Sequence, residues 1–147
     1  MNREFGFWSV QVPGWLLLCY LVYAQAISAF DYELGVTMGT QESADMISEV
    51  GVAFWYGFAF GDLLTYIPLL TAGLVGCWLG RLWGRALLAA ALGISVYWPI
   101  VCLAAVTTAR DVTGWNLTNE TPYWLVLPLI TLWGASGLWY LTRSDSL

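Results

Sequence analysis

The chain has 147 residues, of which 59% are hydrophobic and only 10% charged, and its mean hydropathy is +0.68. This composition argues against a soluble domain and indicates a membrane protein. There is no histidine, and all 5 cationic residues are arginines, which excludes imidazole catalysis, metal binding through histidine and lysine Schiff bases. The net charge of −5 argues against nucleic-acid binding, which needs a basic surface.

Four apolar segments are long enough to cross a bilayer, which takes about 20 residues. They cover approximately residues 13–30, 53–79, 86–108 and 122–141. Pro13 and Pro122 stand where the start of a helix tolerates proline, and Thr121 is a suitable N-cap. The predicted fold is an all-α, integral membrane four-helix bundle that forms a single domain over residues 1–147.

The arginines predict the orientation of the bundle. Four of them lie on the side that holds the two termini and the short turn between spans two and three: Arg3, Arg81, Arg85 and Arg143. The fifth, Arg110, lies on the opposite side. The positive-inside rule then places both termini in the cytoplasm and the acidic loops 31–52 and 109–121 outside. A compact four-span chain with little loop is at least as consistent with a bacterial cytoplasmic (inner) membrane as with a membrane reached through an endoplasmic reticulum, and the bacterial membrane is the expected location.

The first span has a second interpretation. Its end, Ala24-Gln25-Ala26, matches the A-x-A pattern of signal-peptide cleavage. A retained span is favoured, because the preceding segment is long for a signal peptide and the charges of Arg3 and Glu4 cancel.

The loop 31–52 is predicted to contain a short external helix before span two. Thr40 can cap this helix, and Glu42, Asp45 and Glu49 would share one of its faces. That face is either solvated or a site for a cation or a basic partner. The loop lacks the spacing of a calcium-binding loop, and neither a metal site nor a cofactor is predicted.

Small residues indicate where helices approach closely. Gly57 and Gly61 form one GxxxG pattern in span two, and Gly76 and Gly80 form another near its end. The pattern leaves open whether the contact is with a helix of this chain or with a second subunit. Besides the lipid bilayer, a homo-oligomer or a larger membrane complex is therefore expected.

Asp62 is the single acidic residue inside the four apolar segments. A charged side chain near the middle of a bilayer costs about 2.5–3.5 kcal/mol on insertion scales, so such residues face protein or water and mark functional sites. Thr65 and Tyr66 follow at helical spacing and are predicted to share its face. Counting from the turn between spans two and three brings Tyr97 and Trp98 to the depth of Tyr66.

These positions predict a polar cavity, open to the outside, around Asp62. The aspartate could join helices by bonding to Tyr66, to Gln25 or to Arg110. It could instead bind a proton or a cationic ligand, with aromatic rings contributing cation–π attraction. The candidate ligand- or proton-binding residues are Asp62, Tyr66, Tyr97, Trp98, Gln25 and Thr65.

The expected function is non-enzymatic, that of a membrane-complex subunit or a binding protein. The alternative is a proton- or cation-coupled small-solute transporter acting as a dimer. In size and composition the chain resembles small multidrug transporters, which also have four spans, one membrane carboxylate and many aromatic residues. Its acid lies in span two rather than span one, however, and no motif is shared. Catalysis comes third, since no second acid, base or nucleophile is evident at the level of Asp62.

Overall fold

The computed structural model describes residues 3–143, which form helices and no strand. Four helical segments within this range are long and apolar enough to cross a membrane, so the predicted helical membrane architecture is confirmed at that level. The first two and last four residues, which belong to the termini predicted to be cytoplasmic, lie outside the described residues.

The first span is longer than its apolar core. Helix α1 comprises Arg3–Leu21, a π-helical turn Val22–Ala26 and Ile27–Phe30, and helix α2, Tyr32–Thr37, follows. Pro13 was predicted near the start but lies inside α1. In lipid, backbone groups have no water to bond, so a helix continues through a proline that would end it in solution.

The other spans also extend beyond the predicted segments. Helix α3 comprises Ala44–Gly61, a π-helical turn Asp62–Tyr66 and Ile67–Trp78. Helix α4 is Leu82–Ala109 and helix α5 is Thr121–Arg143.

Two ends of the bundle can be distinguished by their connections. The turn end carries residues 79–81 between α3 and α4, and the loop end carries residues 31–43 and 110–120. Helix α4 packs along α5 and along the second half of α3, and α1 packs against α3. Buried leucines of α1, α3 and α4 form a leucine layer across the bundle: Leu17, Leu18, Leu21, Leu70, Leu74, Leu88 and Leu92.

The glycines of α3 behave differently at the two ends. A Cβ at Gly76 would lie 2.5 Å from Gly84 Cα, so this part of α3 approaches the backbone of α4, while Gly80 has φ +65 and forms the turn. A Cβ added at Gly57 or Gly61 would meet nothing within 4 Å. Among residues 3–143, Gly57 and Gly61 therefore make no close contact with another helix, whereas Gly76 packs against α4.

The segment before the second span is built differently from the prediction. Thr40 does not cap a helix, since its hydroxyl donates to Gly35 O at 3.1 Å, and α3 begins after Ser43. Ser48 interrupts the helix with φ 67 and ψ 165. The backbone N–H of Asn116 donates to Met46 O at 2.6 Å, which ties the connection between α4 and α5 to the first turn of α3.

Candidate functional site

Asp62 lies in the interior of the bundle, at the start of the π-helical turn of α3. Its side chain is 8% exposed, and the π-helical turn of α1 packs against the one that contains it. Isolated π-helical turns are rare and frequently occur at functional sites, because the extra residue changes which side chains face inward. Both spans thus depart from regular α-helix at the level of this carboxylate.

Within residues 3–143 the carboxylate of Asp62 has no hydrogen-bond or ion-pair partner. The partners predicted for a structural role are engaged elsewhere. Arg110 pairs with Glu120, and Gln25 accepts a bond of 3.4 Å from Gln41 Nε2. The side chain is therefore buried but does not join helices through hydrogen bonds.

Tyr66 continues the polar cluster toward the middle of the bundle. It is 1% exposed, and its hydroxyl lies 2.5 Å from Ser95 Oγ. Since Ser95 donates to Ala91 O at 3.0 Å, the tyrosine donates to the serine. The Trp98 indole lies close to Tyr66, and its buried Nε1 has no hydrogen-bond partner among the described residues.

Two predicted residues lie away from this cluster. Tyr97 is 68% exposed. Adjacent residues of a helix point in different directions, and here the side chain of Trp98 points inward while that of Tyr97 points outward. Thr65 is also exposed, since the wider π-helical turn rotates it away from the face shared by Asp62 and Tyr66. The predicted aromatic surroundings are therefore reduced to Tyr66 and Trp98.

Three further residues were not assigned to the surroundings of Asp62 from the sequence. Cys102 is 2% exposed and lies within electrostatic range of both Asp62 and Tyr123. The hydroxyl of Tyr123 donates to Glu42 Oε1 at 3.2 Å. Counting from the turn places Cys102 near the depth of Asp62 and could have found it, whereas no sequence signal brings Glu42 to Tyr123.

A second polar cluster lies on the other side of the leucine layer, toward the turn end. Gln11 is 1% exposed; it donates to Leu74 O at 3.2 Å and accepts a bond of 3.0 Å from Trp15 Nε1. Beside it is a cavity of about 20 Å³, enough for one water, with Arg85 and Tyr140 in its wall. Arg85 donates to Leu141 O at 2.5 Å.

Charged groups at the loop end form a separate surface pair. Arg110 and Glu120 are bonded through both carboxylate oxygens, and Trp124 Nε1 also donates to Glu120 at 3.1 Å. These bonds hold the pKa of Glu120 below its usual range and raise that of Arg110. The pair connects the start of the loop to the start of α5 and stays outside the Asp62 cluster.

Among the described residues, no three histidine, cysteine or acidic side chains are grouped so as to hold a metal ion. The cluster around Asp62 instead offers one carboxyl group, hydroxyls and a thiol, which can exchange a proton, and an indole N–H, which can donate a hydrogen bond. No family model matches the sequence, and neither a curated protein nor a solved structure is significantly similar to it.

Proposed function

We propose that this chain is a non-enzymatic membrane protein, a subunit or binding protein, that binds a proton reversibly at Asp62. The supporting observation is a carboxyl group that is 8% exposed and has no hydrogen-bond or ion-pair partner among residues 3–143. An ionised carboxylate buried without a partner is costly, and the cost is removed when the group gains a proton or meets a cation. Tyr66, four residues farther along α3, is buried in the same π-helical turn as Asp62.

The proposed setting is a bacterial cytoplasmic membrane with the loop end outside. Arg81 and Arg85 at the turn end support this orientation through the positive-inside rule, and the segment 31–52, with the first turn of α3, would then be external. Gly57 and Gly61, where an added Cβ would meet no neighbour inside the bundle, are the proposed contact for a second copy or a larger subunit.

The proposal is tested by infrared spectroscopy of the reconstituted protein. A protonated carboxyl group in a dry environment has a distinct C=O stretching band, which we expect to change with pH in the wild type. The band should disappear in Asp62→Asn and persist in Asp45→Asn, a matched control because Asp45 is an exposed carboxylate on the same helix. A band that persists in Asp62→Asn, or is absent from the wild type, would disprove the proposal.

A proton-coupled transporter is the second candidate, favoured by polar clusters on both sides of the leucine layer. Transport would require that layer to open, because its members Leu21, Leu70, Leu74 and Leu92 are fully buried. Proteoliposomes with an internal pH-sensitive dye would separate the two functions. Wild-type flux that Asp62→Asn abolishes supports transport, whereas an Asp62 band without flux supports binding alone.

A further inference from the structure

We infer that the cavity at the turn end binds a phosphate oxygen of an anionic phospholipid, with Arg85 as the charged ligand and Gln11 as a buried hydrogen-bond donor. The inference goes beyond the proposed function, because the cavity lies on the opposite side of the leucine layer from Asp62. The wall of the cavity takes side chains from α1, α3, α4 and α5. A group bound there would therefore contact all four membrane helices at once.

Gln11 supplies a hydrogen-bond donor in the wall of the cavity. Its side chain is 1% exposed; Nε2 donates to Leu74 O at 3.2 Å, and Oε1 accepts a bond of 3.0 Å from Trp15 Nε1. Neither Leu74 nor Trp15 belongs to the cavity wall. An amide nitrogen carries two N–H groups. The second N–H of Gln11, which has no acceptor among residues 3–143, is the polar group that this residue offers to the cavity.

Arg85 supplies a positive charge at the same cavity. It is partly buried and donates to Leu141 O at 2.5 Å, which holds the guanidinium against the last turn of α5. A guanidinium presents five N–H groups in a planar fork that suits phosphate oxygens. Among the described residues, no acidic side chain lies in the wall. The wall therefore presents hydrogen-bond donors and a positive charge, and it suits an anionic oxygen.

The size of the cavity limits what can enter it. Its volume of about 20 Å³ takes one water-sized group, which is the size of a single phosphate oxygen and not of a whole phosphate ion. The rest of the phosphate then has to remain at the membrane surface. A phospholipid headgroup meets this condition, because its phosphorus stays at the interface while one oxygen points toward the protein.

The turn end lies at the depth of lipid headgroups. Cys77, Arg85 and Tyr140 each lie within about one helical turn of an end of their helix. Exposed tryptophans surround this end, as aromatic residues do at a membrane interface: Trp8, Trp78, Trp83 and Trp139. A phospholipid phosphate is already present at this depth, whereas a free phosphate ion has to reach it from solution.

The charge of the turn end favours an anionic lipid over a zwitterionic one. The charged residues at this end within residues 3–143 are mostly arginines: Arg3, Arg81, Arg85 and Arg143, with Glu4 as the acidic residue. Basic pockets between membrane helices bind anionic headgroups. A zwitterionic headgroup would also bring an ammonium group to these arginines, which repel it. We therefore expect phosphatidylglycerol to bind more tightly than phosphatidylcholine.

Native mass spectrometry of the full chain in detergent, titrated with short-chain phosphatidylglycerol, measures the site. Arg85→Gln should weaken the lipid complex about 10-fold, because the charge is lost while the new amide can still donate a hydrogen bond. Arg81→Gln is the matched control, since it removes the same charge from an exposed arginine at the same end. Its affinity should stay within about twofold of the wild type, because an exposed charge is screened.

Titrations with phosphatidylcholine and with inorganic phosphate identify the source of the bound oxygen. Neither should form a complex that Arg85→Gln weakens. Inorganic phosphate that binds in an Arg85-dependent way and displaces phosphatidylglycerol would overturn the lipid as the ligand.

The variants decide whether the cavity is the site. Equal binding by the wild type and Arg85→Gln, or equal losses in Arg85→Gln and Arg81→Gln, would overturn the assignment. If Arg85→Gln does not fold, the wild type decides. Selective binding of phosphatidylglycerol that inorganic phosphate does not displace supports the site, and equal affinity for phosphatidylglycerol and phosphatidylcholine would overturn it.

Discussion

The two ends of the bundle contrast in how their small and polar residues are used. At the turn end, Gly76 and Gly84 bring two backbones together, and a Cβ at Gly76 would lie 2.5 Å from Gly84 Cα. Toward the loop end, a Cβ at Gly57 or Gly61 would meet nothing within 4 Å. The same small-residue spacing thus closes one end of the bundle and leaves a free surface at the other.

Two buried polar residues, Gln11 and Asp62, show the same contrast. Gln11, near the turn end, has both its donor and its acceptor engaged, with Leu74 O and Trp15 Nε1. Asp62, in the half of α3 toward the loop end, has neither a hydrogen bond nor an ion pair among the described residues. A buried polar group whose hydrogen bonds are all formed stabilises the fold. A buried polar group without a hydrogen bond lowers the free energy of unfolding, so its presence calls for a functional reason. The contrast is consistent with the proposal that the site lies toward the loop end.

The largest expected effect comes from adding one methyl group to each glycine region. Gly76→Ala should lower the free energy of unfolding by about 3 kcal/mol, because the new Cβ meets backbone that cannot move aside. Gly57→Ala should leave it unchanged or raise it by up to about 1 kcal/mol, because the site is open and alanine favours helix. Unfolding of both variants in mixed detergent micelles measures the difference.

The same pair of variants also tests the proposed subunit contact. If Gly57 lies in an interface between copies, Gly57→Ala should weaken the oligomer in chemical cross-linking while the monomer keeps its stability. Equal destabilisation by the two substitutions would contradict the contrast between the ends.

A smaller effect is expected from replacing each buried polar residue by leucine. Gln11→Leu should destabilise the protein by roughly 1–3 kcal/mol, since it leaves Trp15 Nε1 unpaired and removes the side-chain bond to Leu74 O. Asp62→Leu should leave stability unchanged or increased, because no bond is lost and a buried polar group is removed. Thermal unfolding followed by tryptophan fluorescence checks both, and marked destabilisation by Asp62→Leu would restore the structural role for this residue.

The smallest effect is the pH dependence that Tyr32 contributes at the loop end. Burial, followed by the carboxylates of Glu42 and Glu33, raises the pKa of Tyr32 to about 12 from an ordinary value of 10.0. The unfolded chain then loses this proton before the folded one does, so stability should fall as pH rises from about 10 to about 12. Because the ring is partly exposed, solvent screening should keep the loss below about 1 kcal/mol.

Tyr32→Phe provides the control for this pH dependence. The slope of melting temperature against pH between about 10 and about 12 should become shallower in the variant, because phenylalanine at position 32 has no ionisable group. An unchanged slope would assign the effect to other tyrosines.

The four spans could be predicted because each depends on local composition alone. Inside a bilayer, a run of about 20 apolar residues must form hydrogen bonds with all of its backbone N–H and C=O groups. A helix forms these bonds within the segment itself, without a second segment. Helix ends were less predictable: Pro13 marks the edge of an apolar run, but α1 starts at Arg3. The depth of Asp62 followed from counting, and its burial followed from the cost of exposing a carboxylate to lipid.

The side-chain neighbours of Asp62 could be predicted only in part. Tyr66 was correctly placed with Asp62 on the inner face, because two residues four apart remain neighbours in α- and π-helical turns alike. Thr65 and Tyr97 were placed there too, and both are exposed. One extra residue in a helical turn is enough to rotate a side chain away, and local propensity does not reveal such a turn.

By itself, the sequence determined the membrane class, the helical fold and the presence of one acid within the spans, since hydrophobicity and charge act residue by residue. Only the tertiary structure decided that Asp62 has no bonding partner among the described residues, that Gln11 has two, and that Glu42 contacts Tyr123. The residues of that contact are 81 positions apart, and they meet because the packing of α3, α4 and α5 places the loop before α3 beside the first turn of α5. Such contacts depend on the rotation and packing of whole helices, which hydropathy along the chain does not specify.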